Sequence, residues 1–248
     1  MINQYYRPST IEEALTLLSE AGTRVVPLGG GTQISHSHNF ISVVDLQKLG
    51  LNKIWVEGNS VFLGGTTSLQ DIVDNSEVMP ALCEAASKDL NFNLRQTATL
   101  AGLVVAGGGR STLLTALLAE DAVIAWLPGP KLQGLGEFLL TRDRVWLGKL
   151  IEFLKFPANP ILKFATVGRS PADLPIICVA VAKWPSGRIR IAIGGFGAAP
   201  ILALDAPEPG GIDFAVRDAL ASSADQWASA EYRQSAAVIL VKRLLSNV

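Results

Sequence analysis

The spacing of apolar residues along the first fifty positions predicts a small β-α-β unit. Residues 9–13 combine a hydroxyl cap with early carboxylates, and apolar side chains then recur at helical spacing until Gly22 closes the helix. Residues 24–28 form a short β-branched run that leads into a glycine cluster, and residues 42–46 form the next such run. These segments supply one helix and two strands, which we interpret as the β-α-β unit.

Turns and short apolar runs alternate in the next segment. Residues 54–56 and 61–64 flank a turn at residues 57–59, which predicts a hairpin. Residues 68–73 and 80–86 then have the caps and apolar spacing of two helices.

A stretch with few charges follows at residues 94–109, where Thr, Ala, Val and Gly dominate. Such small residues suit a tightly packed backbone near a ligand. Residues 112–125 resume a helical apolar pattern.

The last third of the chain predicts an α+β lobe. Pro157 and Pro160 mark its boundary, because prolines interrupt regular structure. Three strands and two amphipathic helices follow, the helices last, which favours an antiparallel sheet covered by helices. The strands are expected at residues 163–167, 176–183 and 188–196, and the helices at residues 214–222 and 231–245.

Composition places the chain among compact globular proteins. Of its 248 residues 49% are hydrophobic and 17% charged, so a sizeable core can be buried. The formal net charge of −1 gives the molecule no electrostatic attraction to nucleic acid or to anionic lipid. No apolar run reaches the roughly 20 residues that span a bilayer, and the first residues do not resemble a secretory signal. We therefore expect a cytoplasmic protein without a membrane segment.

Several side chains have both a structural and a functional interpretation. Cys83 and Cys178 stand far apart among apolar residues, which argues against a disulfide or an iron–sulfur cluster within the chain. Seven basic residues against three acidic ones between positions 131 and 169 indicate a solvated face rather than a docking surface for an acidic partner. We interpret the five tryptophans as packing residues rather than as partners of a planar ligand, at Trp55, Trp126, Trp146, Trp184 and Trp227.

A triple glycine after the second predicted strand is the first candidate for chemistry. Glycines at residues 29–31 let the backbone approach a ligand closely and direct N–H groups at phosphate oxygens. Ile34 stands where the dinucleotide fingerprint requires a third glycine, and no Lys-Ser or Lys-Thr pair follows at phosphate-loop spacing. A plain turn remains the alternative.

A second glycine-rich stretch runs from residue 97 to residue 109 and offers hydroxyls and bare amides in an apolar setting. Together with residues 29–33 it could grip a pyrophosphate from both sides. Extended segments place residues two apart on one side, so His36 and His38 could seat a metal. We favour an ordinary polar loop there, because no carboxylate or thiol lies nearby.

Motifs in the first two thirds of the chain give these stretches a family context. They resemble the medium subunit of the xanthine dehydrogenase and carbon monoxide dehydrogenase family of molybdenum hydroxylases, with a PCMH-type FAD-binding fold. Gly29-Gly30-Gly31-Thr32 is similar to the family's Ala-Gly-Gly-Thr flavin loop. The remaining segments that carry the resemblance are Tyr6-Arg7-Pro8 with Glu13-Ala14-Leu15, residues 63–69 (Ile-Gly-Ala-x-Thr-x-Leu in the family) and residues 94–100 (Ile-Arg-x-x-Ala-Thr-Leu in the family).

The resemblance continues to the carboxyl-terminal lobe through Ala172-Asp173-Leu174-Pro175, Ile193-Gly194-Gly195-Phe196-Gly197 and Ala230-Glu231-Tyr232-Arg233. Each motif is weak alone, but their shared order spans nearly the whole chain. We expect an α+β protein in which residues 1–53 and 54–156 form two α/β FAD-binding subdomains. Residues 157–248 then form the carboxyl-terminal α+β domain.

The resemblance implies an electron-transfer subunit of an oxidoreductase that holds FAD and relays electrons from an iron–sulfur subunit to an external acceptor. Substrate oxidation would lie on a separate molybdenum-cofactor subunit, so we expect a hetero-oligomer and neither catalytic residues nor metal ligands in this chain. The cofactor-binding residues that it implies are Leu28, Gly29, Gly30, Gly31, Thr32, Gln33, Ile34, Ala98, Thr99, Ala101, Gly102, Leu103 and Thr112.

Two departures from the family pattern keep other functions open. Residues 101–103 read Ala-Gly-Leu where the family has Gly-Gly-Asn, and Thr112 replaces a family Asp. One alternative is therefore a member that has weakened or lost FAD binding and serves as an assembly subunit. A stand-alone flavin oxidase is the least favoured alternative, because the residues after Pro157 contain no histidine to act as its base.

Overall fold

The computed structural model describes residues 2–19, 25–34, 40–129, 131–145, 147–170, 173–208 and 210–246. Three sheets, each with its own helices, follow one another along the chain. Gly22, His36, His38 and Trp146, which figure in the sequence predictions, lie outside the described residues.

The first sheet consists of three parallel strands in the order β1-β3-β2. Their bounds, with the one helix between them, are β1 (Ile2–Tyr6), α1 (Ile11–Ser19), β2 (Val25–Leu28) and β3 (Ile41–Asp45). All five residues of β3 are buried, as expected for a strand that is paired on both sides. The sequence predicted β2, α1 and β3 and did not predict β1, whose residues are mostly exposed.

The middle sheet has five strands in the order β4-β5-β8-β6-β7, all antiparallel to their neighbours. Its strands and helices are β4 (Ile54–Glu57), β5 (Ser60–Gly64), α2 (Leu69–Asp74), α3 (Pro80–Asp89), α4 (Phe92–Arg95), α5 (Leu100–Ala106), α6 (Thr112–Ala119), β6 (Val123–Leu127), β7 (Lys131–Gly134), α7 (Leu135–Val145) and β8 (Leu150–Pro157). The predicted hairpin is confirmed as β4 and β5. The predicted cap of α2 is confirmed by a capping box between Ser68 and Asp71.

The last sheet is antiparallel in the order β12-β11-β10-β9 and is covered by two helices. It comprises β9 (Ile161–Val167), β10 (Ile177–Lys183), β11 (Ile189–Gly194), β12 (Ile201–Ala206), α8 (Ile212–Ala219) and α9 (Ala230–Ser246). Arg233 of α9 is fully buried and donates to the carbonyl oxygens of Ile176 and Gly195, which ties α9 to this sheet. The predicted α+β lobe with an antiparallel sheet is confirmed, and β12 is an addition to it.

Helix α6 joins the middle and last sheets into one core. All eight of its residues are buried, and its apolar side chains share a cluster with Leu154 of β8 and with Ala180 and Ala192 of the last sheet. A helix that is apolar on every side requires neighbours all round, which explains this central position. The predicted division at residues 53 and 156 stays a prediction, although each sheet falls within one predicted domain except for Pro157, the last residue of β8.

One secondary-structure prediction was wrong. The helix predicted over residues 112–125 ends at Ala119, and Val123 begins strand β6. Asp121 has a left-handed φ of 58°, which reverses the chain between the two elements within a continuous apolar run. The stretch with few charges at residues 94–109 contains the end of α4 and the whole of α5, so it is mostly helical.

The described residues also bear on the expected absences. No helix in the described ranges has the length and apolar character needed to cross a membrane. Among the same residues, no group of three or more His, Cys, Asp or Glu side chains is arranged to hold a metal ion. Cys83 and Cys178 are both free thiols.

Candidate functional site

A cleft of about 330 Å³ opens where the first sheet meets the middle sheet. One side is the loop after β2, from Gly29 to Ile34, and the opposite side is the start of α5 with Thr99, Ala101 and Gly102. The start of β8, with Lys149, Leu150 and Ile151, and Trp126 of β6 complete the lining. A volume above 300 Å³ is in the range of small-molecule and cofactor sites.

The amides of Gly29, Gly30 and Gly31 are the clearest polar feature of this cleft. Within the described part of the chain no hydrogen bond satisfies these three N–H groups. Gly31 has a φ of +71°, a conformation that glycine adopts without strain. Successive bare amides in such a turn form a concave site for an anion.

The two glycine-rich stretches are in direct contact, as the sequence analysis expected. A Cβ atom built on Gly29 would lie 2.5 Å from Oγ1 of Thr99, and one built on Gly30 would lie 1.6 Å from the carbonyl oxygen of Thr97. Gly29 and Gly30 are therefore required by the packing of one loop on the other. The cleft lies along this junction.

The second stretch does not offer the free amides that the sequence analysis expected. The amide of Leu100 donates to the carbonyl oxygen of Thr67 at 2.9 Å, and that of Ala101 donates to the carbonyl oxygen of Gly65 at 2.8 Å. The amide of Gly102 donates to Oγ1 of Thr99, the N-cap residue of α5, at 3.2 Å. The start of α5 thus lines the cleft with its amides already engaged inside the protein.

Gly65 explains why α5 begins at this position. Its amide donates to the carbonyl oxygen of Glu152 at 2.8 Å, and a Cβ atom built on it would lie 2.1 Å from the carbonyl oxygen of Ile151. The carbonyl oxygen of Gly65 in turn accepts the amide of Ala101. The β5–α2 turn is thereby fixed between β8 and α5, and this places Ala101 and Gly102 against the cleft.

Nine of the thirteen predicted cofactor-binding residues line this one cleft. They are Gly29, Gly30, Gly31, Thr32, Gln33, Ile34, Thr99, Ala101 and Gly102. Leu28 ends β2 beneath the first loop, and Ala98 is buried at the junction of the loops. Leu103 packs against the main core, away from the cleft.

Thr112 lies elsewhere, at the start of α6, where it is fully buried. Its hydroxyl donates to the carbonyl oxygen of Ala85 at 2.7 Å and lies 3.4 Å from Oδ2 of Asp89. Asp89 also accepts from the Ser111 hydroxyl at 2.6 Å and from the amide of Leu113 at 2.8 Å, so it occupies the amino terminus of α6. Burial raises the pKa of the Asp89 carboxyl, and these hydrogen bonds act against that rise.

The remaining walls of the cleft are mainly apolar. Val26, Ile41 and Leu46 line it from the side of the first sheet, and Leu150 lines it from β8. Trp126 is 3% exposed, and its ring nitrogen donates to Oε1 of Gln133 at 3.1 Å. This indole therefore has a packing role, as predicted for the tryptophans, while one of its edges borders the cleft.

Lys149 is a lining residue that the sequence analysis did not identify. It is partly buried and, among the described residues that line the cleft, is the only one with an ionisable side chain. The sequence offered one signal, the excess of basic residues between positions 131 and 169, which we interpreted as a solvated face. Only the pairing of β8 with β5 and β6 brings Lys149 beside the glycine loop.

The chain is similar to known flavoprotein sequences. A family model described as the FAD binding domain in molybdopterin dehydrogenase matches residues 1–157. The chain is 26% identical over 256 residues to "Uncharacterized protein YgfM" of Escherichia coli strain K12, covering 100% of this chain and 96% of that protein. It is 27% identical over 226 residues to the "Xanthine dehydrogenase FAD-binding subunit" of Escherichia coli O157:H7, covering 79% and 75%.

Solved structures show the same fold. A carbon monoxide dehydrogenase chain from Hydrogenophaga pseudoflava superposes with a TM-score of 0.82 at 22% identity, covering 97% of this chain and 94% of that chain. A chain of quinoline 2-oxidoreductase from Pseudomonas putida 86 superposes with a TM-score of 0.81 at 16% identity, covering 98% and 95%. At such identities the likeness concerns the fold alone.

Proposed function

Because the chain belongs to the family of FAD binding domains in molybdopterin dehydrogenases, we propose that it holds FAD in the cleft between Gly29–Gly31 and α5 and transfers electrons within a molybdenum hydroxylase-type oxidoreductase. FAD is the cofactor of this family. When bound, FAD supplies the capacity to accept and release electrons. The residues of this chain bind, orient and shield it.

The observation that carries this proposal is the row of unsatisfied amides at Gly29, Gly30 and Gly31 on the wall of the cleft. A buried or half-buried amide without an acceptor costs free energy, and a diphosphate oxygen would remove that cost. Apolar walls at Val26, Ile41 and Leu150 then suit the planar rings on either side of a diphosphate. The donor set of the cleft therefore fits FAD.

The roles of the two loops differ in this proposal. The first loop donates main-chain hydrogen bonds to the diphosphate. The start of α5 gives shape, since the absence of a side chain at Gly102 keeps the wall open. Thr99 connects both, because it caps α5 and lies against Gly29.

A spectrum of the purified chain tests FAD binding. Protein incubated with excess FAD and then freed of unbound flavin should retain about one flavin per chain, with the absorption bands of the isoalloxazine ring. Protein that stays colourless after this treatment, although folded by circular dichroism, would contradict the proposal.

We further propose that the electrons arrive from an iron–sulfur subunit and that substrate oxidation lies on a molybdenum-cofactor subunit, so that the chain acts in a hetero-oligomer. Support comes from the name of the relative at 27% identity, a xanthine dehydrogenase subunit. The described residues contain no cluster of side chains arranged for a metal, so iron or molybdenum would have to be held by a partner.

Metal analysis of the isolated complex tests this assembly. A chain tagged at one terminus and purified from its own cells should bring down iron and molybdenum in fixed ratio to flavin. Recovery of flavoprotein without either metal, from cells that contain molybdenum cofactor, would contradict the proposed partners.

The alternative of a member that has lost FAD rested on Leu103 and Thr112. Leu103 packs into the core, and Thr112 belongs to the hydrogen-bond group around Asp89. Neither side chain lines the cleft. Ala101, which stands where the family has Gly, does line it, and a cleft of about 330 Å³ remains open beside this residue. No structural observation favours this alternative over FAD binding.

A further inference from the structure

The cleft has an unequal supply of donors for an anionic ligand. In the described structure no oxygen accepts the amides of Gly29–Gly31, whereas those of Leu100, Ala101 and Gly102 are bonded to protein oxygens. Main-chain amides carry no net charge, and a diphosphate carries about two negative charges at neutral pH. A cation in the cleft would offset this charge, and it would have to come from outside the two glycine-rich stretches.

One side chain meets this need. Lys149 lines the cleft, and no other described residue of the lining is ionisable. Some other lysines have acidic partners, as Lys88 has Glu84 and Lys242 has Asp213. Within the ranges that the structure describes, the Lys149 side chain has no ion pair and no hydrogen bond.

The residues that follow Lys149 contact both walls of the cleft. It directly precedes Leu150, whose side chain packs with Val25 and Leu46 of the first sheet. It stands two residues before Ile151, which contacts Gly65 beneath the start of α5. Lys149 and the glycines at positions 29–31 line the same cleft.

We infer that Lys149 neutralises the diphosphate of the bound dinucleotide and is a determinant of affinity for phosphate-bearing flavin. This inference rests on the proposed function and deepens it, because it assigns the counter-charge of the same site. A partly buried ammonium beside a phosphate oxygen gains more than an exposed one, since less water screens the pair.

Substitution of Lys149 separates this role from a structural one. Lys149→Gln keeps most of the length of the side chain and removes its charge, while Lys149→Arg keeps the charge. Lys155→Gln is the matched control, because Lys155 is also partly buried on β8 but lies over the ring of Phe62, outside the cleft. Thermal unfolding of all variants reports whether the fold is retained.

We expect Lys149→Gln to raise the Kd for FAD by about 10- to 100-fold, the effect of one lost charge-assisted hydrogen bond. Lys149→Arg and Lys155→Gln should remain within about 3-fold of the wild type. Wild-type affinity should fall as the NaCl concentration increases from about 20 mM to about 500 mM, and Lys149→Gln should show a weaker dependence on salt.

The outcomes distinguish the two levels of the account. If wild-type protein binds FAD and Lys149→Gln binds it within about 2-fold, with the same salt dependence, the role of Lys149 is overturned and the FAD site stands. If wild type and Lys155→Gln both fail to bind FAD, the proposed function is overturned and the inference with it.

Discussion

Gly30 and Thr97 touch through their main chains: a Cβ atom on Gly30 would lie 1.6 Å from the carbonyl oxygen of Thr97. Real atoms cannot approach so closely, so any side chain at position 30 would push the two loops apart. In the sequence, the glycine cluster indicates only a turn or a phosphate site. In the structure, Gly30 is also required for the contact between the loop after β2 and the stretch before α5.

The contact between Gly30 and Thr97 predicts a large effect from one methyl group. Gly30→Ala should lower the free energy of unfolding by about 1–3 kcal/mol and weaken FAD binding, because the first loop must move away from α5. Urea unfolding and FAD titration measure both effects. Gly108→Ala is the control, since a Cβ atom there meets no atom within 4 Å. Equal stability of the two variants would contradict the contact.

The surroundings of Thr112 allow us to predict the effect of restoring the Asp that the family has at this position. Thr112 is fully buried and lies next to Asp89. Thr112→Asp would therefore place a second buried carboxylate beside Asp89. Two buried carboxylates repel, so we expect a loss of about 3 kcal/mol in the free energy of unfolding at neutral pH. Chemical denaturation measures it.

The double variant Thr112→Asp with Asp89→Asn tests the cause of that loss. It removes one of the two charges, so part of the lost stability should return. Thr112→Ser, which keeps the hydroxyl, should behave like the wild type. A stable Thr112→Asp variant with improved FAD binding would show that Thr112 belongs to the cofactor site after all.

The buried carboxyl group of Glu120 should make the free energy of unfolding depend on pH. Its carboxyl group is fully buried at the end of α6, and neither oxygen has a hydrogen-bond partner in the described structure. Burial raises the pKa of this group from 4.5 to about 8. The folded state therefore holds a proton that the unfolded state releases at lower pH.

The sign of the Glu120 effect follows from this rise. Its contribution to stability is complete below the unfolded pKa and is lost as the pH rises through the folded pKa, a loss of ~5 kcal/mol between about pH 4.5 and 8. Glu120→Gln should flatten this part of the pH profile of urea unfolding. Glu57→Gln, at an exposed position of β4, is the control and should leave the profile unchanged. A profile that is the same for wild type and Glu120→Gln would contradict the buried acid.

Sequence patterns predicted those elements whose signals are local. The turn at Glu57–Ser60 defines the β4–β5 hairpin, and the Ser68 cap with Asp71 defines the start of α2. The strands and helices of the last sheet have clear periodicity as well. Strand β1 was missed because its mostly exposed residues lack the apolar pattern of a buried strand.

Features that depend on distant partners were not predictable. Strand β6 continues the apolar run of α6, and only the left-handed backbone of Asp121 separates them. The sequence gives no sign that the amides of Leu100 and Ala101 have acceptors within the protein. In the structure they donate hydrogen bonds to the carbonyl oxygens of Thr67 and Gly65, respectively. Lys149 becomes part of the cleft through sheet pairing, which leaves no local signal.

Gly102 offers the most direct test of where FAD binds. A Cβ atom there meets only Oγ1 of Thr99, at 3.1 Å, and the residue lines the cleft within helix α5. Gly102→Leu should therefore fill the cleft while the fold is kept, because leucine is a better helix former than glycine by somewhat under 1 kcal/mol.

The decisive measurement is equilibrium dialysis of FAD against wild type and Gly102→Leu, with thermal unfolding of both. The account predicts about one bound FAD per wild-type chain and at least a 100-fold weaker affinity in the variant, with an unfolding temperature within roughly 5 °C of the wild type. Undiminished FAD binding by folded Gly102→Leu would contradict the placement of the cofactor between the first glycine loop and α5.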